Sequence, residues 1–299
     1  MTGSEAAAEA DPDGEPRTAV LFTTHRFGDT VARRFHKLRR ETPDRCVTHL
    51  GMDVSEADPA EVQAARAVGG ERFWGFRAPE VTEVDYPEPW ALEHRPELVP
   101  GNLGLLYLQF ARRHPGFDRF WVVEYDVCYT GDWGELLERF GDSRADVLGT
   151  TLRPRRDRPG WHWWPSFEPP PEVSRDEWIC GFFPVVRVSR RALEALDAAY
   201  RGGWSGHVEA VLPTAARRAG LEIEDLGGDG PFVKEENRDR FYTNTVDREH
   251  LYPGTFVFRP ARRYPGLGRG KLWHPVKPTA GRLSSHLELA REWIRARLS

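Results

Sequence analysis

The sequence predicts an α/β fold, one domain whose mostly parallel central sheet is flanked by helices, and three observations lead there. An apolar run, Phe120-Trp121-Val122-Val123, has the composition of a buried central strand and ends in Glu124-Tyr125-Asp126. Short strand-like runs at 19–22, 46–50 and 145–152 alternate with stretches of helical spacing. The chain has 299 residues, 39% hydrophobic and 29% charged, which are the proportions of a soluble globular protein with a substantial core.

The acid-ended strand organises the rest. It is predicted to run through Val127, with a turn at Thr130-Gly131-Asp132. Side chains alternate along a strand, so Glu124 and Asp126 are expected on one side and Tyr125 on the other. Paired carboxylates suit Mn²⁺ or Mg²⁺, cations commonly completed by substrate phosphates. The plainer alternative is that they cap the strand or pair with arginines.

Taken in order, residues 19–22 form a short buried strand and Thr23-Thr24-His25-Arg26 the first loop after it. A helix over 29–40 leads to a strand over 46–50 that reaches Asp53. Ligands in open α/β sheets gather beyond the carboxyl ends of strands, which places the 23–26 loop, Asp53 and the two carboxylates on one rim. Asp58 followed by Pro59 signals a helix start, and that helix runs to about Val68 before Gly69-Gly70. Residues 73–76 suggest a strand, and Pro87, Pro89, Pro96 and Pro100 a loop or lid-like crossing. Residues 103–113 have helical apolar spacing, and His114-Pro115-Gly116 stops them.

Beyond the acid strand, a helix is expected over 133–140 and a strand over 145–152. Arg153, Arg155, Arg156 and Arg158 then emerge beside Trp161, Trp163 and Trp164. Guanidinium groups hold phosphates and indole faces stack on sugars or bases; a solvated loop with packed tryptophans is the alternative. Residues 178–188 are strand-rich, a helix follows to about Tyr200, and residues 210–219 form another. Glu209 at the start of that helix can take a proton from a substrate hydroxyl; capping by Glu209 or His207 is the bland reading. In the irregular stretch 271–277, His274 suits either a metal ligand or a structural role, and Lys271 and Lys277 suit phosphate. Residues 283–298 read as an amphipathic helix, and there is no internal repeat.

The formal net charge of -4 gives no support to general nucleic-acid binding, and no apolar run has the length of a membrane span. Cys46, Cys128 and Cys180 are widely spaced and form no disulfide framework, so a reducing, cytoplasmic location is expected. Residues 1–17 read as a disordered acidic leader before a domain spanning 18–299, whose end from Arg259 onward is basic.

With these residues in view, the chain resembles the GT-A-type glycosyltransferases, Rossmann-like α/β enzymes that bind a nucleotide-sugar at the carboxyl edge of the sheet. The likeness rests on the D-x-D-like Glu124-Tyr125-Asp126. The wider run of Trp121, Glu124, Tyr125, Asp126, Val127, Thr130, Gly131 and Trp133, a W-x-x-E-Y-D-V-x-x-T-G-x-W motif, resembles a largely uncharacterised family assigned to that superfamily.

The resemblance implies that Asp126 and Glu124, completed by His274, hold Mn²⁺ or Mg²⁺ against the donor diphosphate. It implies that Thr23, Thr24, His25, Arg26 and Asp53 contact the nucleotide and that Glu209 is the base of an inverting reaction; arginines over 153–158, Arg153 among them, or Lys271 are expected to assist the diphosphate. The donor would be a nucleoside-diphosphate sugar, a UDP-sugar being expected first, and the acceptor a hydroxyl or amine on a small molecule or glycan. The glutamate at the first D-x-D position departs from the pattern. Two other readings are a sugar nucleotidyltransferase, against which the lack of a glycine-rich phosphate loop counts, and a non-catalytic carbohydrate-binding protein.

Overall fold

The computed structural model describes residues 17–83, 86–87, 101–245 and 251–277. The acidic leader up to residue 16, most of the proline-rich crossing and the helix expected over 283–298 lie outside the described residues. The first half contains β1 (Thr18–Thr24), α1 (Asp29–Glu41), β2 (Cys46–Asp53), α2 (Pro59–Gly69), β3 (Phe73–Phe76), α3 (Ala78–Thr82), α4 (Leu103–Arg113) and β4 (Arg119–Glu124). The second contains β5 (Cys128–Tyr129), α5 (Trp133–Arg139), β6 (Val147–Gly149), β7 (Arg153–Pro154), β8 (Ile179–Cys180) and β9 (Val185–Ser189), followed by α6 (Arg190–Arg201), α7 (Val208–Arg218), β10 (Ile223–Asp225) and β11 (Leu272–Trp273).

Seven strands make one sheet in the order β10-β6-β9-β4-β1-β2-β3. All run parallel except β9, which pairs antiparallel with both β4 and β6. This is the mostly parallel α/β sheet that the sequence predicts. Its strands are apolar on both faces because both faces are covered. Ala19, Leu21, Phe120 and Val122 pack with the apolar sides of α4, α6 and α7. Val20, Phe22, Trp121 and Val123 point the other way, onto Val31, Phe35 and Leu38 of α1 and Leu136 and Leu137 of α5.

Local rules place most of the boundaries. The Asp58 carboxylate accepts from Ala60 N and opens α2 with Pro59 in its first turn. The Ser189 hydroxyl caps α6, and Asp132 caps α5. Three expectations change. The strand over 145–152 shortens to β6 because Thr151 turns out of the sheet at a φ of 52° and Leu152 N donates to the Asp225 carboxylate. The 178–188 segment divides into β8 and β9. Finally β4 stops at Glu124 instead of continuing to Val127: its ladder with β9 ends at Val123 opposite Val185, and the next residue of that partner is Pro184, which has no N–H to give.

Past β4 the chain makes a tight turn in which Val127 N donates to Glu124 O at 3.0 Å. Glu124 and Asp126 are therefore brought together by this turn and not by strand alternation. A late segment, residues 255–277, returns to the same turn as a strap. Its β11 pairs antiparallel with β5, and Val276 N donates to Asp126 O at 2.8 Å. Arg34 of α1 fastens the junction, its Nη1 donating to Tyr125 O at 2.9 Å and to Val276 O at 2.7 Å. Among the described residues, no helix is long and apolar enough to cross a membrane.

Arg34 thus satisfies two main-chain carbonyls that belong to different segments. Replacing it with methionine is expected to lower unfolding stability by about 1.5–3 kcal/mol in a urea titration, the scale of hydrogen bonds made by a charged donor. An unchanged midpoint and slope would mean that water replaces the guanidinium at no cost.

Candidate metal and ligand site

Glu124, Asp126 and His274 converge where the acid turn meets the strap. One ligand atom from each can be chosen so that all lie within 4.8 Å of one another. His274 Nε2 is 3.4 Å from Asp126 Oδ1 and 3.9 Å from Glu124 Oε2. His274 Nδ1 lies 2.8 Å from Val257 O, a group that only accepts, so Nδ1 carries the hydrogen and a neutral ring turns the Nε2 lone pair toward the carboxylates. Asp126 is 3% exposed, and its Oδ1 is buried without a hydrogen-bond partner among the described residues. Two hard carboxylate oxygens, one of them buried without a hydrogen-bond partner among the described residues, and an imidazole nitrogen fit a divalent cation of the Mn²⁺ or Mg²⁺ type.

The electrostatics agree. Burial, reinforced by Asp126, pushes the Glu124 carboxyl up. Burial works the same way on Asp126, but His274 and then Lys277, whose Nζ sits 3.4 Å from Oδ2, outweigh it and hold Asp126 below its ordinary value. Burial disfavours charge on His274, yet Asp126 and Glu124 overcome this and raise it. A proton on His274 and a cation between the three side chains therefore compete for the same space.

The three side chains and Lys277 line a cavity of about 610 Å³, a size common for small-ligand sites. Arg158, Trp161, Trp163, His207 and Glu209 also line it, as do residues 258–261 of the strap. Glu209 sits in the first turn of α7. His207 caps that helix through Nδ1, which accepts from Glu209 N at 3.2 Å, so the 3.6 Å approach of Nδ1 to Glu209 Oε2 is not an ion pair. Burial and His162 push His207 down to about 3, which keeps it neutral. Gly206, at a φ of +125°, lets the chain pass against the aromatic loop: a Cβ there would lie 2.7 Å from Ser166 O. Glu209 Oε1 accepts from Phe183 N at 2.7 Å, and burial, opposed by that bond and aided by Glu124, pushes the carboxyl up to about 8.

The remaining predicted site residues are not on the cavity wall. Thr23 Oγ1 approaches Val123 O at 3.5 Å, and Thr24 Oγ1 closes its own loop by bonding to Arg26. His25 packs edge-on to Tyr125, with ring centres 4.9 Å apart. Its pKa is lowered by burial, then by Arg26 and Lys277, and is raised by Asp126 and Asp53, so these groups share one electrostatic neighbourhood. Asp53 accepts from Ser55 N at 2.9 Å and from Ser55 Oγ at 2.6 Å, capping the end of β2. Arg153 is buried and paired with Asp229, and Lys271 Nζ donates to Asp239 O.

Lys277 and Arg158 are the cationic side chains on the cavity wall besides Arg259. The sequence singles out both segments but cannot rank residues within them. Lys277 follows His274 by three in an extended strap, which is the available signal. Nothing local distinguishes Arg158 from its neighbours, since the groups that favour its charge, Cys180 and Glu209, are distant in sequence.

No family model matches the chain, and no curated protein matches it. Among solved structures the chain is similar to mouse xyloside xylosyltransferase 1 in its apo form, at 14% identity and a TM-score of 0.44, over 91% of this chain and 99% of that one. It is also similar to the mannosyltransferase PcManGT from Pyrobaculum calidifontis in complex with GDP-Man and Mn²⁺, at 13% identity and a TM-score of 0.39, over 75% of this chain and 58% of that one. A cytidylyltransferase from Leptospira borgpetersenii serovar Hardjo-bovis is similar at 12% identity and a TM-score of 0.37, over 71% and 76% of the two chains. All three scores fall below 0.5, so the fold class stands on the strand order and the functional reading on the site.

Proposed function

We propose that this chain is a metal-dependent glycosyltransferase of GT-A type, moving a sugar from a nucleoside-diphosphate sugar to a hydroxyl or amine acceptor. The observation that carries this reading is the convergence of Glu124, Asp126 and His274 at the wall of a cavity that also holds Glu209. A divalent cation bound by the first three would neutralise charge developing on the departing diphosphate. Lys277 supplies a further positive charge beside Asp126 for the phosphates. The loop of Thr23, Thr24, His25 and Arg26, with Asp53, lies on the same rim and would meet the nucleotide, with a UDP-sugar the first donor to try.

Glu209 takes the acceptor proton in this scheme. A carboxyl raised to about 8 by burial is a stronger base than an exposed one, and its value lies near working pH, where general-base catalysis is most effective. Its Phe183 N–H bond fixes Oε1, and Oε2 lies 3.6 Å from His207 Nδ1. Trp161 and Trp163 offer apolar surface against a sugar ring and exclude water, which competes as acceptor. The nucleotidyltransferase reading shares the acidic cluster but gives Glu209 no task.

The test is turnover of UDP-glucose, UDP-xylose and GDP-mannose with Mn²⁺, followed as release of free nucleoside diphosphate. Release that stops on chelation supports the reading, whereas pyrophosphate formed from a nucleoside triphosphate and a sugar phosphate would replace it with a nucleotidyltransferase. Glu209→Gln is expected to keep donor binding and lose about 10²–10⁴-fold in kcat for transfer; undiminished transfer would remove Glu209 from the mechanism.

Glu209 also predicts a pH dependence of stability. Its folded pKa of about 8 lies above the ordinary 4.5, so it contributes stability that is fully present below the lower value and lost as pH rises through the upper one. In metal-free thermal melts, the wild type is expected to lose stability relative to Glu209→Gln between about pH 5 and pH 9. A constant difference across that range would mean that Glu209 is ionised throughout.

A further inference from the structure

Arg158 is only 8% exposed and lines the cavity, yet its Nη1 is buried with no hydrogen-bond partner among the described residues. No ion pair joins it to a carboxylate among those residues. Its neighbours in sequence and in the core stand off the cavity wall: Arg153 pairs with Asp229, Arg155 lies over the rings of Trp164 and Trp178, and Arg187 donates to the carbonyls of Phe140, Ser143 and Ala145, although Nε of Arg155 and Nε of Arg187 are also buried without a partner. The main chain fixes Arg158 in place. Its N donates to Arg155 O at 3.2 Å, and its O accepts from Trp161 N at 3.3 Å and Trp164 Nε1 at 2.8 Å.

A buried guanidinium with an open donor calls for an anion, because removing such a charge from water without a partner is costly. Among the described residues, no carboxylate lies within ion-pair distance of Arg158. The groups that favour charge on Arg158 are Cys180, a thiol pushed up to about 12 by burial that also takes a side-chain hydrogen bond from the guanidinium, and Glu209, a carboxyl pushed up to about 8; neither serves Nη1.

We propose that the cavity recognises a carboxylate or phosphate carried by the acceptor sugar, and that Arg158 is the residue that reads it. The planar guanidinium suits two-point binding of either oxyanion, with Trp161 available to the sugar ring. The acceptor side is assigned by position. Glu209, the proposed base, is among the groups acting on Arg158, whereas Lys277 stands at Asp126. Lys277 thus stands toward the donor phosphates and Arg158 toward the acceptor acid. The term acceptor rests on the glycosyltransferase reading; recognition of an acidic sugar does not.

The experiment compares binding of methyl β-D-glucuronide, glucose 6-phosphate and methyl β-D-glucoside by ligand-observed NMR titration, alongside Mn²⁺-dependent UDP binding on the same samples. At least one acidic sugar is expected to bind about tenfold or more tightly than the neutral glucoside, and which one it is separates carboxylate from phosphate. Arg158→Gln is expected to abolish that preference while Mn²⁺–UDP binding persists. Should Arg158→Gln fail to fold, Arg158→Lys is expected to weaken the preference, because a point charge replaces the fork. Equal binding of all three sugars by the wild type would overturn the proposal, as would a full preference in either folded variant. An acidic preference without Mn²⁺-dependent binding of UDP, or of GDP on the same samples, would leave Arg158 as an anion reader and refute the transferase instead.

Discussion

The site depends on one junction, where the strap is hydrogen-bonded to the turn after β4. Pro184 ends the β4–β9 ladder, the chain turns at Glu124, and the carbonyls thus released are taken up by the strap and by Arg34. Val276 N on Asp126 O and the β5–β11 pairing put His274 opposite two carboxylates that come from residues about 150 positions earlier. Without that return the acid turn would have no third ligand. The helix-covered sheet provides the stiffness that keeps the turn in place.

Charge explains why the junction favours a cation. Two carboxyls sit together, Glu124 partly buried and resisting ionisation, Asp126 buried and held ionised by His274 and Lys277. A divalent ion would compensate both and leave the Nδ1 hydrogen of His274 on Val257 O. Around the cavity the same physics raises the Glu209 carboxyl and leaves Arg158 Nη1 without a hydrogen-bond partner among the described residues.

Much of the fold was legible because local rules decided it. The capped helices α2, α5 and α6 and the apolar strands β1, β2 and β4 follow from residues near in sequence. The short strands β10 and β11 were not, since three and two residues carry no period and exist only through their partners. The proximity of Glu124, Asp126, His274 and Glu209 was anticipated through resemblance, but the turn that creates it was read as strand, because Pro184 acts from 60 residues away. Arg153 and Lys271, chosen as phosphate cations for being basic and nearby in sequence, are occupied by Asp229 and Asp239, and it is Arg158 and Lys277 that face the cavity.

The most direct test is calorimetric titration of the protein with UDP and with GDP, each with and without Mn²⁺, repeated on Asp126→Asn. The account predicts that one nucleotide binds only with the metal and that Asp126→Asn, folded by circular dichroism, loses that binding. Nucleotide binding that is indifferent to both Mn²⁺ and Asp126, or no binding of either nucleotide, would contradict it and leave the acid turn as a structural feature.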